Sequence, residues 1–292
     1  MGQLLREKGG RKVEQFFKKV DISKLMTTII MAVLGLIFLL PFIWMLSASF
    51  KLEKDVLTFP IEWIPTSWNA VENYSKVWFG DKSFLLYYWN SFKVTILTTL
   101  TSVIVSSLAA YAFAKVKFKG REFIFLIVLA TYMIPPQSIL VPQFLLYKSM
   151  GLFDSHLGLI LLNSFSVFGT FMLRQFFLSI NDEIIESARI DGAGHFRVFF
   201  HIALPLVQPA IATYAILRFI WTWNDYQYPL IFLRSESLFT LQLGIAQFAD
   251  AHGTIYSLMM TGAVSAIIPL LIVFIIGQKQ VIEGISLGGV KG

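Results

Sequence analysis

Long apolar runs, separated by short polar and basic stretches, set the layout of this chain. A helix that crosses a bilayer needs about 20 mostly apolar residues. Six runs reach that length, at 25–47, 87–114, 123–147, 157–179, 207–233 and 257–277. None alternates with the two-residue period of a membrane β-strand. The pattern therefore predicts an all-α membrane protein of six transmembrane helices, each satisfying its own backbone groups within lipid. Pro135 and Pro136 are expected to break the third run, because proline removes backbone donors. The first run exceeds the roughly 7–15 residues of a signal-peptide core, so it reads as a retained span.

The basic residues orient these spans. Arg6, Lys8, Arg11, Lys12, Lys18, Lys19 and Lys24 precede the first run, and Lys115, Lys117, Lys119 and Arg121 follow the second. By the positive-inside rule both positions face the cytoplasm. The expected order is a basic cytoplasmic segment (1–24), a first span (25–47), an external segment (48–86), a multi-span core (87–277) with an internal loop at 181–206, and a cytoplasmic tail (278–292). Trp63, Trp68, Trp78 and Trp89 mark interfacial or partner-facing surface on the external side.

Composition narrows the function classes. Hydrophobic residues make up 56% and charged residues 14%, against about 45–50% and 25% in a soluble domain. The net charge of +6 sits at the N-terminus and in short loops, which suits membrane orientation and argues against nucleic acid as a partner. Cysteine is absent, which excludes disulfides, thiolate nucleophiles and Cys-based metal sites. His156, His195, His201 and His252 lack HxxxH spacing, so no metal site is expected. No clustered His, Asp and Ser set suggests a membrane enzyme.

The polar stretch between the fourth and fifth runs carries the sharpest pattern. Asn181 suits a helix N-cap, and Asp182 and Glu183 suit the first turn. Ile184, Ile185 and Ala188 are placed on one face. Gly192 supplies the turn at the helix end, with positive φ expected. A second short element follows with Phe196, Phe199 and Phe200, and Pro205 and Pro209 open the fifth span. A short helix of this kind either docks a partner or packs on its own bundle.

From Glu186-Ser187-Ala188-Arg189-Ile190-Asp191-Gly192-Ala193 to Ile202-Ala203-Leu204-Pro205, this stretch resembles the EAA loop of ABC importer permeases. The pattern is Glu-Ala-Ala, three residues, Gly, nine residues, then Ile-x-Leu-Pro; Ser187 alone departs from it. Tyr111-Ala112-Phe113-Ala114-Lys115, Met133-Ile134-Pro135, Pro142, the stretch 152–158, Trp223-Asn224-Asp225 and the tail from Val281-Ile282-Glu283-Gly284 to Val290-Lys291-Gly292 look like the carbohydrate-uptake branch. The resemblance extends over nearly the whole chain and is to the maltose-transporter type, the second permease of a heteromeric pair.

That resemblance implies a type I ABC importer permease of a bacterial inner membrane, with both termini cytoplasmic. The implied partners are a second homologous permease, a cytoplasmic ATPase dimer, an extracytoplasmic solute-binding protein, membrane lipid and a sugar. Glu186, Ser187, Ala188, Asp191, Gly192, Ala193, Leu204 and Pro205 would form the ATPase-coupling surface. The chain has no GxxxxGK[ST], so it is expected to hold no cofactor, with ATP and Mg²⁺ on the partner ATPase. No catalytic residue is expected.

The fifth run holds the most unusual chemistry. Arg218, Trp221 and Asp225 fall on one face, and charges within a span face the bundle interior or a wet cavity. Asn224, Asp225, Trp221 and Tyr228 are candidates for a substrate path, with Asn163 on the fourth run. The competing reading is an aromatic belt with one structural ion pair, and for Asn163 a bond to a neighbouring helix. The alternative function is a secondary transporter of a small polar solute, which predicts inverted repeats and several intramembrane acids; Asp225 is nearly alone.

Overall fold

The computed structural model describes residues 22–80, 84–250 and 253–289. Most of the expected basic segment 1–24, and residues 290–292 of the expected tail, lie outside the described residues. Helix α1 (Ile22–Ser49) is one continuous apolar rod. Its side chains from Ser23 to Phe42 are exposed, so this surface belongs to lipid or a partner. Next come α2 (Glu53–Val56) and α3 (Ala70–Phe79). The expected external segment folds onto the bundle through two polar anchors, buried Asn73 and exposed Glu53. Asn73 Nδ2 donates to the carbonyls of Ser49 and Lys51, at 2.9 and 2.8 Å. Glu53 accepts from the Tyr256 and Ser257 backbone N–H groups, at 2.9 and 2.7 Å.

The central helix α4 (Phe84–Lys115) runs the length of the bundle. It buries a polar stripe of Ser91, Thr95, Thr98, Ser102 and Ser106. Spacings of three and four place these on one face, where small side chains let helices approach closely. One such approach is to Tyr214, whose hydroxyl lies 2.7 Å from Ser102 Oγ.

The third apolar run is bent at its prolines. Helices α5 (Arg121–Thr131) and α6 (Pro136–Ser149) meet at 97°. The fourth is also broken, into α7 (His156–Leu162) and α8 (Val167–Leu178) at 46°. There Ser166 caps α8 by accepting from the Gly169 N–H, so the expected continuous 157–179 helix is corrected to two pieces.

The polar stretch forms α9 (Asp182–Ile190), α10 (His195–Val198), a wide π turn (Phe199–Ala203) and α11 (Leu204–Leu206). The arm from His195 to Leu206 meets α12 (Gln208–Trp223) at 81°. The expected 207–233 span therefore stops early, at Trp223. Asp225 accepts from the Tyr228 N–H at 3.2 Å, which offers the backbone an alternative to helix. Pro229 cannot extend the α12 ladder, so the chain restarts as α13 (Gln227–Phe232).

After α14 (Leu241–Ala246), the strands β1 (Ala249–Asp250) and β2 (Gly253–Thr254) make a two-residue antiparallel ladder. Helix α15 (Tyr256–Gly289) runs on well past the expected end at 277, so most of the expected tail is helical. Among the described residues three helices are long and apolar enough to cross a membrane alone, and up to six spans result if each bent pair counts as one. Three apolar clusters hold the bundle among the described residues, the smallest joining Val94, Leu159, Ile160, Phe232 and Leu233. Two are larger. One joins Tyr111, Phe177, Ile185, Val198, Phe199 and Tyr214; the other joins Val77, Phe84, Phe219, Trp223 and Leu241.

Candidate functional site: an exposed helical arm and a polar cavity

Helix α9 forms as its sequence dictates. The Asn181 side chain accepts from the Glu183 N–H at 3.0 Å, and two acids occupy the first turn. Gly192 closes the helix with φ of +81°. The Ala193 N–H reaches the Ala188 carbonyl, and the Gly192 N–H reaches Arg189. These two bonds define a Schellman stop, which needs the left-handed residue that glycine supplies. A Cβ at Gly192 would meet nothing within 4 Å, so the constraint there is one of backbone alone.

The arm presents two faces. Ile185 is buried, and Ala188, Ala193 and Leu204 pack against the same core. Glu186, Ser187, Asp191, Gly192 and Pro205 are exposed. The expected apolar face is corrected at one position: Ile184 points outward, leaving Ile185 and Ala188 on the bundle. Exposed with Ile184 are Ile190 at 86% and Phe196 at 74%, apolar side chains that the described residues leave uncovered. Ser187, at the one position departing from the EAA pattern, donates to the Glu183 carbonyl at 2.8 Å, so its hydroxyl is satisfied within the helix.

The arm is also tied to α4. Lys115 Nζ is buried and bonds both the Ile180 carbonyl and the Asp182 carboxylate. Hydrogen bonding to this ammonium, reinforced by its charge, holds the Asp182 carboxyl below the usual carboxylate range. A cleft of about 780 Å³ opens beside this tie, lined among others by Lys117, Lys119, Glu186 and Arg189.

The second locus lies where α12 ends and α7 breaks. A cavity of about 220 Å³ is lined by Asn163, Arg218, Trp221, Thr222, Asp225 and Tyr228. Four of the five expected path residues thus meet in one place. Asn224 does not join them; its side chain donates to the Ile220 carbonyl at 2.9 Å. The ion pair of the competing reading is not formed either, since no N···O approach within 4.0 Å joins Arg218 to Asp225. Arg218 Nη2 instead donates to the Asn163 backbone carbonyl, freed by the break after α7. Trp221 stands edge-on to Phe168 at 5.3 Å.

Sequence reasoning missed the hydroxyl groups behind this cavity. Thr98, Thr222 and Thr240 line a small enclosed void shared with Asn163 and Asp225, and their hydroxyls have no hydrogen-bond partner. For Thr98 alone, the three- and four-residue spacing of hydroxyl residues on α4 carries a signal.

This architecture, a bent helical bundle carrying an exposed helical arm, is that of an importer permease. The chain belongs to the family of binding-protein-dependent transport system inner membrane components, whose model matches residues 102–286. It is 33% identical to the arabinooligosaccharides transport system permease protein AraQ of Bacillus subtilis (strain 168), over 93% of this chain and 97% of that one. It is 29% identical to the lactose transport system permease protein LacG of Rhizobium radiobacter, over 90% and 94%. A chain in the crystal structure of a bacterial ABC transporter that imports the acidic polysaccharide alginate superposes with a TM-score of 0.77. That match has 26% identity and covers 88% of this chain and 96% of the other.

Proposed function

We propose that this chain is one of two permease subunits of an ATP-driven importer for a sugar or oligosaccharide. The α9–α11 arm docks on a cytoplasmic ATPase, and the cavity beside Asp225 lines part of the sugar path. Both termini and the 181–206 arm are cytoplasmic, while α2 and α3 face the compartment of a solute-binding protein. The carrying observation is the arm itself. Ile190, Phe196 and Glu186 are exposed around a glycine-closed helix whose opposite face is anchored in the bundle core. An exposed apolar patch of this kind calls for a partner. The sugar class draws support from the relatives, several of which are named for oligosaccharide or lactose transport.

The test is reconstitution with the second permease, the ATPase and the binding protein in proteoliposomes. Uptake of a neutral oligosaccharide that needs both ATP and the binding protein supports the reading. Glu186→Lys should leave the membrane bundle inserted and reduce recovery of the ATPase with the complex. Full ATPase recovery and full uptake in that variant would refute docking through this arm.

A further inference from the structure

The cavity between α7, α12 and α13 holds a guanidinium and a carboxylate that do not touch each other. Arg218 and Asp225 both line it, yet they stand beyond 4.0 Å. In an apolar bundle two opposite charges lining one cavity would gain by closing. Each is instead held by backbone: Arg218 Nη2 by the Asn163 carbonyl, Asp225 by the Tyr228 N–H. Both retain capacity, since a guanidinium carries five N–H donors and a carboxylate about four lone-pair sites. Trp221 and Tyr228 add aromatic surface. The volume of about 220 Å³ suits a single sugar ring.

We propose that this cavity selects a neutral sugar ring through a vicinal diol, one hydroxyl donating to Asp225 while a neighbouring oxygen accepts from Arg218. The inference rests on the sugar-path reading above and deepens it. A vicinal diol offers a donor and an acceptor on adjacent carbons, which matches an anion and a cation held apart. A uronate does not match: its carboxylate could pair with Arg218 only while standing close to Asp225, where like charges repel. Arg218 acts here as a specificity residue. This separates the chain from an importer of an acidic polysaccharide, despite the shared fold.

The test uses the full complex, with arabinotriose, maltotriose and galactotriose as neutral probes and trigalacturonate as the acidic one. Uptake is measured in proteoliposomes with the binding protein. Preference is measured in nanodiscs without it, by quenching of tryptophan fluorescence, so that the binding protein does not set the outcome. At least one neutral probe should bind tenfold or more tightly than trigalacturonate. Asp225→Asn and Arg218→Met should each lower neutral-sugar uptake at least tenfold per assembled complex. Asp225→Asn should narrow the gap to trigalacturonate, because the repelling charge is gone and Arg218 stays. Arg218→Lys, which keeps the charge and loses the fork, serves should the Met variant fail to assemble, and should also lose uptake. If the wild-type complex carries no trisaccharide, the sugar-import reading fails and this inference with it. If wild-type uptake survives these substitutions, or trigalacturonate binds as tightly as the neutral probes, the inference alone is overturned.

Discussion

Lys115, the last residue of α4, and Asp182, the first of α9, form an ion pair that joins the central membrane helix to the exposed α9–α11 arm. The pair is lopsided: the Lys115 side chain is 4% exposed and that of Asp182 is 77%. The exposed partner is therefore the more costly one to remove. Asp182→Ala leaves a buried ammonium with only the Ile180 carbonyl, whereas Lys115→Met removes the charge itself. Asp182→Ala should lower the unfolding temperature of the purified permease more than Lys115→Met does, and the double variant should recover part of the loss. A milder effect of Asp182→Ala would contradict this account. The pH dependence has a definite sign. A depressed carboxyl stabilises above its unfolded value, so this contribution is intact at pH 7 and fades as pH falls below about 4.

Gly192 separates backbone strain from crowding. With φ of +81° and empty space around its missing Cβ, Gly192→Asn should keep nearly normal coupling, since asparagine tolerates the left-handed region. Gly192→Val should cost about 1–2 kcal/mol or more locally and unwind the Schellman stop. ATPase activity stimulated by the loaded binding protein should fall several-fold in the Val variant and stay near wild type in the Asn variant. Equal behaviour of the two would remove φ as the reason for glycine here.

At Gly169 the constraint is the reverse. A Cβ there would lie 2.2 Å from Cζ of the fully buried Tyr214. Gly169→Ala forces α8 away from α12 or displaces the ring, at a cost of about 1–3 kcal/mol. It should reduce the yield of folded, monodisperse permease. Tyr214→Phe, which loses only the hydroxyl bonded to Ser102, should do less harm by size-exclusion chromatography and thermal unfolding. An unchanged melting temperature in Gly169→Ala would show that the helices can separate freely.

Orientation is testable without background, because the chain has no cysteine. Ser67→Cys, between α2 and α3, should react with an impermeant maleimide added to intact cells stripped of any outer barrier. Lys119→Cys, between α4 and α5, should react only after the membrane is opened. Labelling of position 119 from outside would invert the proposed topology.

The spans that read clearly from sequence are those where apolarity alone decides. Helices α1, α4 and α15 follow from runs of Leu, Ile, Val and Phe, and the bend at Pro135-Pro136 follows from proline chemistry. Asn181 as a cap and Gly192 as a left-handed stop were legible because each works through bonds within five residues. The break at Ser166 was hidden, since one serine in an apolar run is a weak signal until its hydroxyl meets the Gly169 N–H. The break after Trp223 was hidden for a similar reason: Asp225 looked like a span residue and proves to accept from the Tyr228 N–H. The separation of Arg218 from Asp225 depends on the Asn163 carbonyl, 55 residues away in sequence. No local pattern carries a contact of that range.

Glu53 ties together two segments far apart in the described chain. Its carboxylate is held by the first backbone N–H groups of α15, more than 200 residues downstream. Thr261 of that same helix also bonds the last carbonyl of α1. The C-terminal end of α1 is thus held both by nearby Asn73 and by a helix more than 200 residues downstream. Closing the bundle around α1 therefore brings together segments from opposite ends of the described chain.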